Sequence, residues 1–280
     1  LASYAATAGI PAIVLVPEGK ISLSKLSQTI AYGATVIQID GDFDRALKLL
    51  RELTDAYDVY LANSVNPYRP EGQKTIVFEM LDQLGWDVPD VIALPGGNLG
   101  NTAAFGKALS EVYQVGLIAK MPRIVTVQAA GAAPFVAYYE SGFDHYAPVH
   151  AETIASAIKI GDPASIERAR RSIETTNGIV TAVTDDEIMA AKAVIDLAGI
   201  GCEPASAASL AGIRKLVQRG ELANDLTIVG VLTGHVLKDT DAIVGYHLTD
   251  EPRHALANRP VSVPAELDAL KKVLDDAVQG

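Results

Sequence analysis

The stretch Val91-Ile92-Ala93-Leu94-Pro95-Gly96-Gly97-Asn98-Leu99-Gly100-Asn101 reads VIALPGGNLGN. Four apolar residues lead into a loop with three glycines and two asparagines, and the helical pattern NTAAFGKALSEVY follows. A short apolar run, a glycine turn and a helix start spell strand–loop–helix. That arrangement aims several unpaired backbone N–H groups at one point, where the helix dipole adds partial positive charge. Glycines let the backbone approach a ligand closely. A phosphate suits the place, with Asn98 and Asn101 as further amide donors. The spacing is not the Walker pattern, since no lysine follows the last glycine, nor is it G-x-G-x-x-G. Read alone, the loop can also be no more than a turn.

The same rhythm continues on both sides. Strands are predicted at AIVLV (12–16), TVIQI (35–39), VYLAN (59–63), VIAL (91–94), RIVTVQ (123–128), IVTAV (179–183) and LTIVGVL (226–232). Most are apolar nearly throughout, as expected of parallel strands covered on both faces. Helical periods lie between them. In DFDRALKLLRELTDAY, Phe43, Ala46, Leu50, Leu53 and Tyr57 recur at steps of three and four. Thr184 and Glu187 have capping-box spacing, and Gly178, Gly199 and Gly220 fall where helices are predicted to end. Strand–helix alternation at this pace makes an α/β fold with mostly parallel sheets flanked by helices.

Composition narrows the function. A chain of 280 residues that is 49 % hydrophobic and 20 % charged can bury a substantial core and is not a disordered sequence. A net charge of −11 with no basic patch argues against nucleic acid as a partner. No apolar run approaches the roughly 18 residues of a membrane span. The single cysteine, Cys202, excludes an internal disulfide framework and points to a reducing, cytoplasmic setting. The chain opens at Leu1, inside a helical pattern and without a signal-peptide profile, which suggests an N-terminally shortened fragment. From Thr249 onward, proline and charge increase, and a solvated tail ending in a last helix is expected.

Three further segments carry chemistry-bearing side chains. NSVNPYRPEGQKT (63–75) crowds Asn63, Ser64, Asn66, Arg69, Glu71, Gln73 and Lys74 after a predicted strand end, where open α/β sheets hold ligands. Arg69 suits bidentate anion binding. GCEPASAASLAGIRKL (201–216) sets Glu203 before a helix of small residues, which leave room for a ligand or a close neighbour. Glu203 is either a buried carboxylate with a catalytic part or ordinary complement to a helix start. LTIVGVLTGHVLKD (226–239) ends a strand on Thr233, Gly234 and His235, and His235 reads as a general base or, more commonly, a hydrogen-bonded structural histidine.

Taken in order, LVPEGKISLSKLSQTIAYGATVIQIDG, NSVNPYRPEGQKT, PGGNLGN, TIASAIKIG, EPASAASLAG and TGHVLKD closely resemble the threonine synthases. These are pyridoxal-phosphate enzymes of fold type II, similar to the tryptophan synthase β chain, and the resemblance runs from Leu1 to about Asp239. It implies a smaller α/β domain, incomplete here, over residues 1–61, and a larger cofactor-binding domain with a C-terminal tail over 62–280. It implies that the backbone of Gly97, Asn98, Leu99, Gly100 and Asn101 holds the cofactor phosphate and that the Thr233 hydroxyl faces the pyridine nitrogen. Asn63, Ser64 and Arg69 match positions that grip the substrate phosphate. The implied reaction takes O-phospho-L-homoserine and water to L-threonine and phosphate through carbanions stabilised by the cofactor, in a homodimer. A dehydratase of the same group, or a phosphate-binding remnant without chemistry, is the alternative. The lysine that would form the Schiff base belongs to a motif upstream of Leu1. Lys20, Lys25 and Lys74 match other parts of the family, so no residue of this chain is assigned as catalytic and the fragment is expected to be inactive. Two departures stand out. Gly96 replaces a residue that is usually valine, which is expected to loosen the loop. Val236 replaces a frequent glycine, which is expected to alter the backbone after His235.

Overall fold

The computed structural model describes residues 1–18, 23–41, 43–62, 66–249 and 254–279. Its helices are α1 (Ala2–Ala8), α2 (Leu23–Ala31), α3 (Phe43–Ala56), α4 (Tyr68–Gln73), α5 (Thr75–Gln83) and α6 (Gly100–Gln114). They continue with α7 (Pro134–Glu140), α8 (Ile166–Thr175), α9 (Asp185–Leu197), α10 (Pro204–Gln218), α11 (Thr240–Leu248) and α12 (Leu267–Gln279). The strands are β1 (Ile13–Pro17), β2 (Thr35–Ile39), β3 (Val91–Pro95), β4 (Arg123–Ala129), β5 (Ile179–Val183) and β6 (Ile228–Gly230). The chain divides into two compact units, Leu1–Ala242 and Ile243–Gly280.

In the first unit β1 and β2 form a two-stranded parallel sheet, with Ile13 opposite Thr35 and Pro17 opposite Ile39. The other strands form a four-stranded parallel sheet in the order β5-β4-β3-β6. Val91 lies opposite both Arg123 and Ile228, and Val125 opposite Ile179. All five residues of β3 are buried. Successive side chains leave opposite faces of a strand, so an unbroken apolar run feeds two cores. Val91 and Ala93 join Val127, Ile188, Ala208 and Leu216 on the face covered by α9 and α10. Ile92 and Leu94 join Leu81, Phe105, Leu109 and Ile173 on the face covered by α5, α6 and α8. Each fully buried side chain of this size contributes about 1.5–3 kcal/mol of transfer free energy.

Small residues set how closely the helices lie. A Cβ on Gly106 of α6 would stand 2.1 Å from Ser172 Oγ of α8, and one on Gly212 of α10 would stand 2.4 Å from Val127 Cγ2. Only hydrogen fits at either contact. Helix ends follow the sequence signals in part. Thr184 Oγ1 accepts from the Glu187 N–H (3.2 Å) while Glu187 Oε2 accepts from the Thr184 N–H (2.7 Å), a complete capping box. Gly199 and Gly220 take the left-handed conformation after α9 and α10. After α8 that conformation belongs to Asn177 (φ 47°), and Gly178 serves another need: a Cβ there would lie 2.5 Å from the Ile124 carbonyl oxygen.

The predicted strand VYLAN is not one over its described residues, 59–62. The Val59 N–H bonds back to the Tyr57 carbonyl (2.8 Å), Tyr60 is largely exposed, and the Leu61 carbonyl accepts from Asn66 Nδ2. A local turn has taken the backbone groups that a ladder would need. In the second unit the tail is largely exposed, as expected, and is pinned near its start. The His247 ring accepts from the Asn258 N–H (2.9 Å), Tyr246 stacks on His254 at 4.3 Å, and Arg259 Nε donates to the His247 carbonyl. The last helix, α12, is where the sequence places it.

Candidate active site

The glycine loop leaves the C-terminal end of β3 and is tied down residue by residue. The Gly96 N–H donates to the Val127 carbonyl (2.8 Å), and the Gly96 carbonyl accepts from Gln128 Nε2 (3.3 Å). Gln128 Oε1 in turn accepts from the N–H groups of Phe135 and Val136 at the start of α7. A Cβ on Gly96 would stand 2.6 Å from Thr126 Cγ2 and 3.3 Å from Gln128 Cγ. The space of a side chain is therefore already filled, and Gly96 does not loosen the loop. Gly97 presses against the 155–165 segment, where a Cβ would lie 3.0 Å from the Ala157 carbonyl oxygen. Asn98 holds the same segment: its Oδ1 accepts from the Ala164 N–H and its carbonyl from the Ser165 N–H, both at 3.2 Å. The Asn98 amide is thus partly committed to structure.

Leu99, 2 % exposed and left-handed at φ 60°, turns the chain into α6 without a side-chain cap. The first bond of α6 outside its own span runs from the Ala103 N–H to the Leu99 carbonyl. Among the described residues the N–H groups of Gly97, Leu99, Gly100 and Asn101 have no acceptor. Gly97 and Leu99 are buried, and a buried donor left unmade costs about 1–3 kcal/mol. These groups share one cavity of about 250 Å³ at the helix N-terminus. An oxyanion placed there satisfies several donors at once and meets the positive end of a 15-residue helix.

Other elements complete the wall. Arg69 and Gln73 reach it from α4, Ser165 from the loop before α8, Ala205 from the first turn of α10, and Thr233 from the segment after β6. Arg69 does not stand at the end of the predicted strand VYLAN, since its described residues, 59–62, form none. It sits on α4, whose start is held by Asn66 Oδ1 accepting from the Tyr68 N–H. Asn63 and Ser64 lie outside the described residues. Glu71 and Lys74 of the same motif face away into an ionic cluster with Lys107 and Glu111. Lys107 and then Lys74 hold the Glu71 carboxyl below the usual range, and Glu111 and then Glu71 hold Lys74 above its ordinary value. No lysine lines the cavity among the described residues.

The far wall is built by α10. Small side chains let this helix lie close against the sheet, the neighbour that EPASAASLAG leaves room for, and Ala205 also lines the cavity. Ser206, fully buried, accepts from the N–H groups of Thr233 and Gly234 (2.9 Å each) and lies 3.1 Å from Thr233 Oγ1. Glu203 is 4 % exposed and packs on Gly234, where a Cβ would fall 2.1 Å from Glu203 Oε1; the Glu203 N–H donates to the Gly234 carbonyl. His235 is exposed, and its Nδ1 accepts from the Leu237 N–H (3.2 Å), so it caps a short turn and is not poised as a base. Val236 covers Gly201, a left-handed glycine at φ 70°. The absence of a side chain at 201 accommodates the extra one at 236.

The cavity brings together Gly97, Asn98, Leu99, Gly100, Asn101, Thr233 and Arg69. Gln128, Ser206 and Ser165 were not singled out by sequence. A polar residue closing the apolar run RIVTVQ was the available signal for Gln128, while Ser206 is hidden among the small residues of α10. The donor set fits a phosphate-headed aromatic cofactor: main-chain N–H groups for the phosphate, apolar Ala205 and Ile158 beside it, and a hydroxyl opposite.

Comparison with known proteins adds the chemistry. The model of the pyridoxal-phosphate dependent enzyme family matches residues 1–234. Threonine synthase of Methanosarcina acetivorans is 44 % identical over 276 residues, covering 98 % of this chain and 66 % of that protein. Threonine synthase of Mycobacterium leprae is 45 % identical over 275 residues, covering 97 % of this chain and 71 % of that protein. Among solved structures, threonine synthase from Escherichia coli matches with a TM-score of 0.67 at 23 % identity, over 96 % of this chain and 65 % of that one. At that identity the likeness concerns the fold. This chain spans 66 % of the length of the archaeal relative.

Proposed function

This chain belongs to the threonine synthases, within the pyridoxal-phosphate-dependent enzyme family, and on that premise we propose that the whole protein converts O-phospho-L-homoserine and water to L-threonine and phosphate. The observation that carries the reading is the cradle of N–H donors from Gly97, Leu99, Gly100 and Asn101, unpartnered among the described residues and facing one cavity with Arg69 and Thr233. When bound, pyridoxal phosphate supplies an electron sink that stabilises carbanions of an amino-acid substrate.

In this reading the glycine loop, Gly97 to Asn101, grips the cofactor phosphate, and the Thr233 hydroxyl meets the pyridine nitrogen. Arg69, with Asn63 and Ser64, receives the phosphate of the substrate. Two anions need two sets of donors, and the loop and α4 contribute one each from different walls of one cavity. The α4 motif is what a dehydratase has no use for, since its substrate brings no phosphate. Residues 1–61 are proposed as part of a smaller domain and 62–280 as the larger one, in a cytoplasmic homodimer. No helix among the described residues is long and apolar enough to cross a membrane.

The test is an assay of the full-length holoenzyme with O-phospho-L-homoserine, following phosphate and threonine together. Equal amounts of both support the proposal. Ammonia and 2-oxobutyrate from threonine, without phosphate release, would reassign the enzyme to the dehydratases.

A further inference from the structure

A serine hydroxyl carries one proton and two acceptor positions. Ser206 Oγ lies 2.9 Å from Thr233 N and 2.9 Å from Gly234 N, and both partners are backbone amides that can only donate. Its acceptor positions are therefore both taken. The remaining neighbour within hydrogen-bond distance is Thr233 Oγ1 at 3.1 Å, and the Ser206 proton goes there. Ser206 is 0 % exposed on α10, so no solvent competes for that proton.

Thr233 Oγ1 thus accepts from Ser206, and its own proton must point elsewhere. Thr233 lines the cavity, and no other described residue receives its proton. We infer that Ser206 is a positioning residue that fixes the polarity of this hydroxyl pair, presenting Thr233 to the cavity as a hydrogen-bond donor. The inference rests on the reading in which Thr233 meets the pyridine nitrogen of the cofactor. It deepens that reading: with one Thr233 lone pair occupied by Ser206 and its proton turned away from Ser206 toward the cavity, the hydroxyl favours an acceptor ring atom, an unprotonated pyridine nitrogen. Without Ser206 the Thr233 hydroxyl is free to turn and can equally accept from a pyridinium.

Two measurements on the holoenzyme test this. In the first, pyridoxal phosphate labelled with nitrogen-15 in the ring is bound to the wild-type protein, and its nitrogen resonance is followed from pH 6 to 8.5. An unprotonated, hydrogen-bonded pyridine signal that does not titrate is expected; a pyridinium signal would overturn the inference whatever the variants do. In the second, affinity for pyridoxal phosphate is compared with affinity for an analogue carrying C–H in place of the ring nitrogen. One net hydrogen bond corresponds to a preference of roughly two- to tenfold for the nitrogen. The ratio should fall to about one in Thr233→Val, persist in Thr233→Ser, and fall substantially in Ser206→Ala. Ser206→Ala added to Thr233→Val should change the ratio no further. Because the ratio is internal to each protein, a general loss of affinity cancels. Ser206→Cys, a weaker donor and acceptor, serves if the alanine variant does not fold. A full ratio in the Ser206 variant beside a lost one in Thr233→Val would sink the role of Ser206 while leaving the site reading intact. No preference in the wild type, with Thr233→Val indifferent, would remove the site reading as well.

Discussion

Strands β1 and β3 are apolar runs of equal length, IVLVP and VIALP, and end alike on proline. They differ in what surrounds them. In β3 Val91, Ile92, Ala93 and Leu94 are all 0 % exposed, whereas Ile13 at the start of β1 is 46 % exposed and Ile37 on its partner β2 is 41 % exposed. β3 has a neighbour on each edge and helices on both faces; among the described residues β1 has one neighbour, in a two-stranded sheet. Such a pair is marginal unless something packs on it. An apolar run therefore states what a strand can bury, and the number of partners decides what it does bury. The proposed ligand site lies at the end of the well-covered strand, which is paired on both edges and packed on both faces.

The contrast can be broken by experiment. The largest effect is expected from Ile92→Ala, which opens a cavity in the four-stranded sheet and should cost about 2–5 kcal/mol in urea unfolding. Ile37→Ala should cost less than about 1 kcal/mol. Equal losses would mean that the small sheet is as well packed as the large one.

Cys202 probes the same core chemically. It is 0 % exposed, and burial pushes its thiol up to about 11. Only the thiolate is alkylated and the sulfur is out of reach of solvent, so native protein at pH 8 should react at least about a hundredfold more slowly than an ordinary thiol. A rate near that of an ordinary thiol, levelling off near pH 9, would show the core around α10 opening locally.

Gly97→Val tests the mouth of the site. Its Cβ would crowd the Ala157 carbonyl, and a loss of at least about tenfold in pyridoxal phosphate affinity is expected by fluorescence titration, with the far-ultraviolet spectrum unchanged. Thr184→Ala removes the cap of α9 and should cost about 1 kcal/mol. The effect is modest, since the capped end is exposed.

Much of this was legible in the sequence, for identifiable reasons. Unbroken apolar runs such as VIAL and RIVTVQ reported strands covered on both faces, and the parallel α/β fold, shared with fold type II enzymes, followed from them. The glycine loop announced its cluster of unpaired main-chain donors because such donors leave a trace in glycine spacing. VYLAN misled because a turn at Tyr57–Val59 and the side chain of Asn66 compete locally with strand pairing, and composition does not register that. Gly96 was read as slack although Thr126 and Gln128, some 30 positions away in sequence, fill its space. Ser206 could not be found because hydrogen-bond polarity is a property of three converging groups and has no motif.

The most direct test of the central claim is the crystal structure of the protein with pyridoxal phosphate. The account predicts the phosphate at the N-terminus of α6, its oxygens about 2.7–3.2 Å from the backbone nitrogens of Gly97, Leu99, Gly100 and Asn101, and the ring nitrogen against Thr233. A phosphate held by Arg69, with the loop nitrogens unengaged, would contradict it.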